Sequence, residues 1–188
     1  EDSNSAAVYF PACVSTMFGP AEGGEGVTAA LLSLCERGGI ALAIPDGIKG
    51  MCCGMPWRSK GLTVGYKEMR TRVLPELWEA SRGGELPVVC DGASCTEGLQ
   101  QLVESGGPAY VGLRIIDAVA FIDEHLLDRL PTPVKIGSLA LHPTFAAPPI
   151  GSNAALPHLP ARPAHDVTSP TAWGSCPSAF GLCLPPPV

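Results

Sequence analysis

The chain has 188 residues, enough for one ordinary domain with its own core, and its 46% hydrophobic and 16% charged composition suits a folded protein better than a disordered one. A net charge of −6 without any Lys/Arg cluster argues against nucleic acid, whose binding rests on neutralising phosphates. No apolar stretch approaches the length of about 18 residues that a membrane span needs, so no transmembrane segment is expected.

The first element is an apolar run over residues 7–10, read as a strand and followed at once by Phe10-Pro11-Ala12-Cys13. A turn rich in glycine (Gly19, Gly23, Gly24, Gly26) leads into a helix over 27–37, whose Val27, Ala30, Leu31 and Leu34 have helical spacing, with Gly38-Gly39 as its stop. A strand over 40–44 precedes Met51-Cys52-Cys53-Gly54, and a helical region spans 63–82. Pro75 is expected to divide that region by opening a second helix. The strand over 86–89 runs into Cys90-Asp91-Gly92-Ala93-Ser94-Cys95, after which a helix over 96–104 is expected, capped by Ser94 or Thr96. Residues 115–130 read as an amphipathic helix with Ile115, Val119, Ile122 and Leu126 on one face and Asp117, Glu124 and Asp128 on the other. A last strand over 138–141 runs into Leu141-His142-Pro143-Thr144. Alternating strands and helices predict right-handed crossovers and an α/β fold: a three-layer sandwich with a mainly parallel sheet. Residues 146–188 hold ten of the twenty prolines and only two charged residues, Arg162 and Asp166, so an irregular or disordered Pro-rich tail is expected there.

Ligand sites of open α/β sheets lie outside the carboxyl ends of the strands, where five of the eight cysteines fall. A secreted disulfide framework fits poorly, because such frameworks staple domains short of core and adjacent Cys52 and Cys53 are awkward partners for each other. Reduced thiols in a cytoplasmic compartment fit better. Cys13, Cys52, Cys53 and Cys95 supply the four thiolates that an iron–sulfur cluster or a tetrahedral zinc requires, and spacing alone leaves both open. Arg58 and Lys60 stand just beyond the paired thiols, either to add positive potential or as a solvated loop. A thiol oxidoreductase would use Cys90 or Cys95 at a strand-to-helix junction, but C-x-x-C is missing. Cys35 reads as a buried filler, His142 and His125 as a structural and a solvated residue, and Trp57 and Trp78 as packing residues.

Phe-Pro-Ala-Cys13, Cys52-Cys53-Gly54 followed by Pro56-Trp57-Arg58-Ser59-Lys60-Gly61, and Ala93-Ser94-Cys95 together resemble the cysteine-rich CCG domain of iron–sulfur oxidoreductases. That domain occurs in heterodisulfide reductase, in the iron–sulfur subunit of glycolate oxidase and at the C-terminal end of FAD-linked D-lactate dehydrogenases. Residues 86–89 and Leu139-Ala140-Leu141-His142-Pro143-Thr144 bring the resemblance closest to the D-lactate dehydrogenase type, over roughly residues 7–155.

The resemblance implies a 4Fe-4S type cluster on Cys13, Cys52, Cys53 and Cys95, with Cys90 as an additional candidate ligand. Gly92 stands where the heterodisulfide reductase version carries a further cysteine. The implied role is electron transfer from a flavin-binding dehydrogenase domain or subunit to a quinone or cytochrome-linked acceptor. The place would be cytoplasmic or peripheral at the inner face of the membrane. The alternative is a zinc-stabilised structural or interaction domain. The CCG-type domain is expected over residues 1–145. A second module begins near residue 138 but has Phe145 where a thiol is expected, and Cys176 and Cys183 lie in unrelated sequence. The start, Glu1-Asp2-Ser3-Asn4-Ser5, reads as the interior of a longer polypeptide, with FAD expected only in an upstream region and no catalysis by this segment alone.

Overall fold

The computed structural model describes residues 4–20, 22–141 and 155–169. Strands β1 (Ala7–Phe10), β2 (Leu42–Ala43), β3 (Val88–Cys90) and β4 (Ile115–Asp117) form one sheet in the order β2-β1-β3-β4. All three pairings are parallel, with Val8 opposite both Ala43 and Val88, and Cys90 opposite Asp117. The helices are α1 (Cys13–Phe18), α2 (Gly26–Arg37), α3 (Met55–Ser59), α4 (Thr63–Ala80), α5 (Ala93–Gly106) and α6 (Ala118–Phe121), the last continued by a π-helical turn over Ile122–Leu126.

Strand alternation sends side chains to two faces, and each face has its own core. Val8, Phe10, Val88, Cys90 and Ile115 pack against Val73, Leu74 and Leu77 of α4 and Leu99 and Leu102 of α5. Ala7, Tyr9 and Val89 pack on the other side against Leu31 and Cys35 of α2 and against Ala118, Phe121 and Leu126. Helices therefore cover both faces, and the three-layer arrangement expected from the sequence is present. Cys35 is the buried filler it was read to be, and Trp78 packs edge-on against Tyr110 with ring centroids 6.0 Å apart.

Several elements differ from expectation. Residues 115–117 are a strand, not the first turn of a helix. Ile115 is buried beside β3, and the Asp117 side chain accepts the Val119 N–H at 2.9 Å, which starts α6 three residues later than the periodicity suggests. Pro75 lies inside a continuous α4, held on both sides by buried Met69, Val73, Leu74 and Leu77; that burial offsets the one backbone bond the proline removes. On α2 the burial falls on Leu31 and Cys35, while Val27 stays exposed.

Strand β5 (Ile136–Ala140) is not a neighbour of the main sheet. It pairs in parallel with β6 (Ala164–Thr168) in a separate two-stranded sheet. A short helix α7 (His158–Ala161) precedes β6, so residues 155–169 of the Pro-rich segment carry regular structure. His158 Nδ1 sits 3.0 Å from Asp123 Oδ2 and ties α7 to the π-helical turn. His142, Phe145, Cys176 and Cys183 lie outside the described residues.

Gly84 shows how tightly the layers close. Its φ is +88°, and a Cβ placed there would stand 2.4 Å from the carbonyl oxygen of Gly112. Gly23 has a similar φ of +76° but open space around it. Gly84→Ala is expected to cost about 2–4 kcal/mol from backbone strain plus the clash, and Gly23→Ala about 1 kcal/mol from strain alone. Denaturant unfolding of the two variants, side by side, measures the difference.

Candidate functional site

Cys13 is the first residue of α1 after β1, Cys52 and Cys53 follow a 3₁₀ turn (Asp46–Gly50) after β2, and Cys95 is the third residue of α5 after β3. Because the three strands are parallel, all three loops leave the sheet at its carboxyl edge. The four sequence-predicted thiols do meet there. Cys13 lies beside Cys52, Cys52 beside its neighbour Cys53, and Cys53 beside Cys95, each near enough to perturb the next. Cys90, at the end of β3, joins the row through Cys95 and also points its thiol at the Gly92 carbonyl, 3.8 Å away. Cys35 lies in the core on the opposite face of the sheet.

Glycines make this approach possible. Gly54 has φ +82°, and a Cβ there would stand 3.0 Å from the Tyr66 ring and 3.2 Å from Leu102, so the glycine after the paired thiols is required twice over. Gly98 on α5 lets the Cys53 loop lie on the helix: a Cβ would come within 2.8 Å of the Cys53 carbonyl oxygen and 3.2 Å of its sulfur. At Gly92 a Cβ would be 3.0 Å from the Ala12 Cβ and 3.5 Å from the Cys95 sulfur. A cysteine at that position would thus face the same cluster of thiols.

Burial and mutual contact keep these thiols protonated. Burial, then the Cys52 charge, pushes Cys13 up. The Cys53 hydrogen bond and burial drive Cys52 far above the ordinary thiol range. In Cys53 the hydrogen bond with Cys52 pulls downward, but contact with Cys95 and burial outweigh it and raise the thiol from 9.0 to about 12. Cys95 is likewise pulled down by Cys53, and the Cys90 contact and burial win. Working against these increases, backbone N–H groups of Val14, Gly54 and Met55 donate to the sulfurs of Cys13, Cys52 and Cys53. Such bonds favour thiolate and tune the potential of a bound cluster.

The donor chemistry fits an iron–sulfur cluster or zinc: four soft sulfurs on three loops, with the start of α5 beside them. The sulfurs stand in a row, each beside the next. As they stand, no group of three or more His, Cys, Asp or Glu among the described residues is disposed to hold a metal ion. Binding would require the thiols to lose protons and exchange their mutual bonds for metal bonds.

Two contributors escaped the sequence reading. Asp91, half-buried in the stretch of chain between Cys90 and Cys95, accepts the Ala12 N–H at 2.6 Å and the Tyr9 hydroxyl at 2.7 Å. Buried Thr96 sets its hydroxyl between the Gly92 carbonyl, 3.0 Å away, and buried Asp117, 3.3 Å away, instead of capping α5. A carboxylate directly after a strand end was the available signal for Asp91. Arg58 and Lys60 are exposed beyond the paired thiols. The chain matches no protein-family model, no curated protein and no solved structure. No helix among the described residues is long and apolar enough to cross a membrane.

A pH dependence follows for the metal-free chain. A thiol raised on folding binds its proton more tightly in the native state, so its contribution is fully present below pH 9 and is lost as pH rises towards 12. Chemical denaturation of metal-free, reduced protein at steps from pH 8 to 10.5 should show stability falling above pH 9, and Cys53→Ala should flatten that fall.

Proposed function

We propose that this chain is an iron–sulfur electron-transfer module of an FAD-linked D-2-hydroxyacid dehydrogenase, of the D-lactate or glycolate type. The observation that carries the proposal is the meeting of Cys13, Cys52, Cys53 and Cys95 from three loops at one sheet edge. The resemblance to the CCG domain supports iron–sulfur over zinc, and the glycines at 54 and 98 account for the local backbone such a site needs. A bound 4Fe-4S type cluster would take up and release single electrons.

The chain's own residues would supply four sulfur ligands, backbone N–H groups on three of those sulfurs, and a wall formed by the core under α4 and α5. Cys90 would stand beside the cluster as a fifth thiol. Substrate oxidation belongs, in this proposal, to a flavin-binding domain or subunit. Electrons leave for a quinone or cytochrome-linked acceptor, in the cytoplasm or at the inner face of a membrane.

Anaerobic purification followed by iron, sulfide and zinc quantification with visible absorption tests the assignment. Brown protein with iron and sulfide in equal amounts is expected; colourless protein holding zinc would overturn it in favour of a structural metal site. Cys53→Ser should lower iron content by about tenfold or more, since a hard hydroxyl replaces a soft thiolate, and Cys35→Ser should leave it unchanged. Equal losses in both variants would point to unfolding instead of ligation.

A further inference from the structure

We propose that Asp91 is the positioning residue of the thiol site, its carboxylate locking the loop that carries Cys13 onto the loop that carries Cys95. One carboxylate oxygen accepts the Ala12 N–H at 2.6 Å, and Ala12, almost wholly buried, immediately precedes Cys13. The other accepts the Tyr9 hydroxyl at 2.7 Å, from a residue fully buried in β1. That hydroxyl also lies 3.4 Å from Thr28 Oγ1 on α2, so the shorter bond to Asp91 claims its proton. Burial, outweighing the Thr28 contact, holds the Tyr9 hydroxyl well above its ordinary value, which keeps it a donor.

Both donors sit on or next to β1, while the acceptor follows β3. The two bonds therefore join the end of β1, and the loop after it, to the loop that follows β3. Gly92 suits the clamp, because a Cβ there would stand only 3.0 Å from the Ala12 Cβ, and its absence lets the two loops lie close. A carboxylate beside thiolates is electrostatically unfavourable for holding added electrons. Two short, charge-assisted hydrogen bonds to buried partners give it a compensating role that packing alone would not.

The inference rests on the iron–sulfur proposal only for its effect on a cluster; the positioning itself is testable without metal. In the full chain, reduced and metal-free at pH 8, alkylation by iodoacetamide is followed residue by residue by peptide mass spectrometry, with buried Cys35 as the internal control. Asp91→Ala should raise the Cys13 rate by about tenfold, the scale expected for losing hydrogen bonds to a charged group. Tyr9→Phe should give a smaller rise. Asp91→Asn, which keeps an acceptor for Ala12 and a group facing Tyr9, should stay within about twofold of the parent. A Cys13 rate unchanged in Asp91→Ala, with Cys35 still protected, overturns the proposal. Should Asp91→Ala expose Cys35 as well, the Tyr9→Phe and Asp91→Asn pair decides, and equal Cys13 rates in both and in the parent overturn it.

Reconstitution with iron and sulfide adds a second readout. Asp91→Ala should lose iron to a chelator several-fold faster, and Asp91→Asn should retain iron at the parent rate but show a higher reduction potential through loss of one negative charge. A parent chain that takes up no iron defeats the iron–sulfur assignment and leaves the alkylation result to judge Asp91 by itself.

Discussion

Because β1 pairs in parallel with β2 on one side and β3 on the other, the three loops that follow these strands must leave the sheet along one edge. Everything at the thiol site depends on that pairing. An antiparallel neighbour would send either Cys52 and Cys53 or Cys95 to the far edge, a strand length away. Parallel strands need helical crossovers, and the crossovers in turn bury both faces of the sheet. The same geometry that gathers the sulfurs thus encloses them, with Phe10, Leu99 and Leu102 as floor and wall.

Enclosure has an electrostatic consequence. Burial and contact with one another raise the thiols of Cys13, Cys52, Cys53 and Cys95, which therefore hold their protons. Only a cation can reverse this preference locally. The backbone N–H groups of Val14, Gly54 and Met55 already point at three of the sulfurs, so the loops are organised for sulfur that carries negative charge even while the thiols are neutral. In that sense the loops are shaped for a state that the thiols reach only when they give up their protons.

The sequence made the central sheet and the thiol set legible for one reason: each of Cys13, Cys52–Cys53 and Cys95 follows a compact apolar run, and a doubly covered parallel sheet writes its strands as such runs. Strand β4 was hidden because Ile115 also satisfies a helical stripe with Val119, Ile122 and Leu126, and a three-residue strand leaves too little alternation to compete. The placement of β5 beside β6 was illegible for a different cause. Which strand a given strand pairs with is decided by tertiary packing, and proline density around residues 155–169 concealed a short helix and strand that a few hydrogen bonds suffice to hold. Asp91 and Gly98 act through Ala12 and Cys53, residues far away in sequence, and a local pattern can mark the position of such a residue but not its partner.

Gly92 gives the site a property of a different kind. The direction in which a side chain would leave this residue runs between Ala12 and the Cys95 sulfur, into the midst of the thiols. Glycine and cysteine codons can differ by one base, so a new sulfur is a single mutational step from this edge of the sheet. Its cost is a few tenths of an ångström of movement at Ala12, within what a neighbouring loop can give. The number of thiols at this edge is therefore an evolvable quantity, adjustable at one position while the strands and crossovers stay where they are.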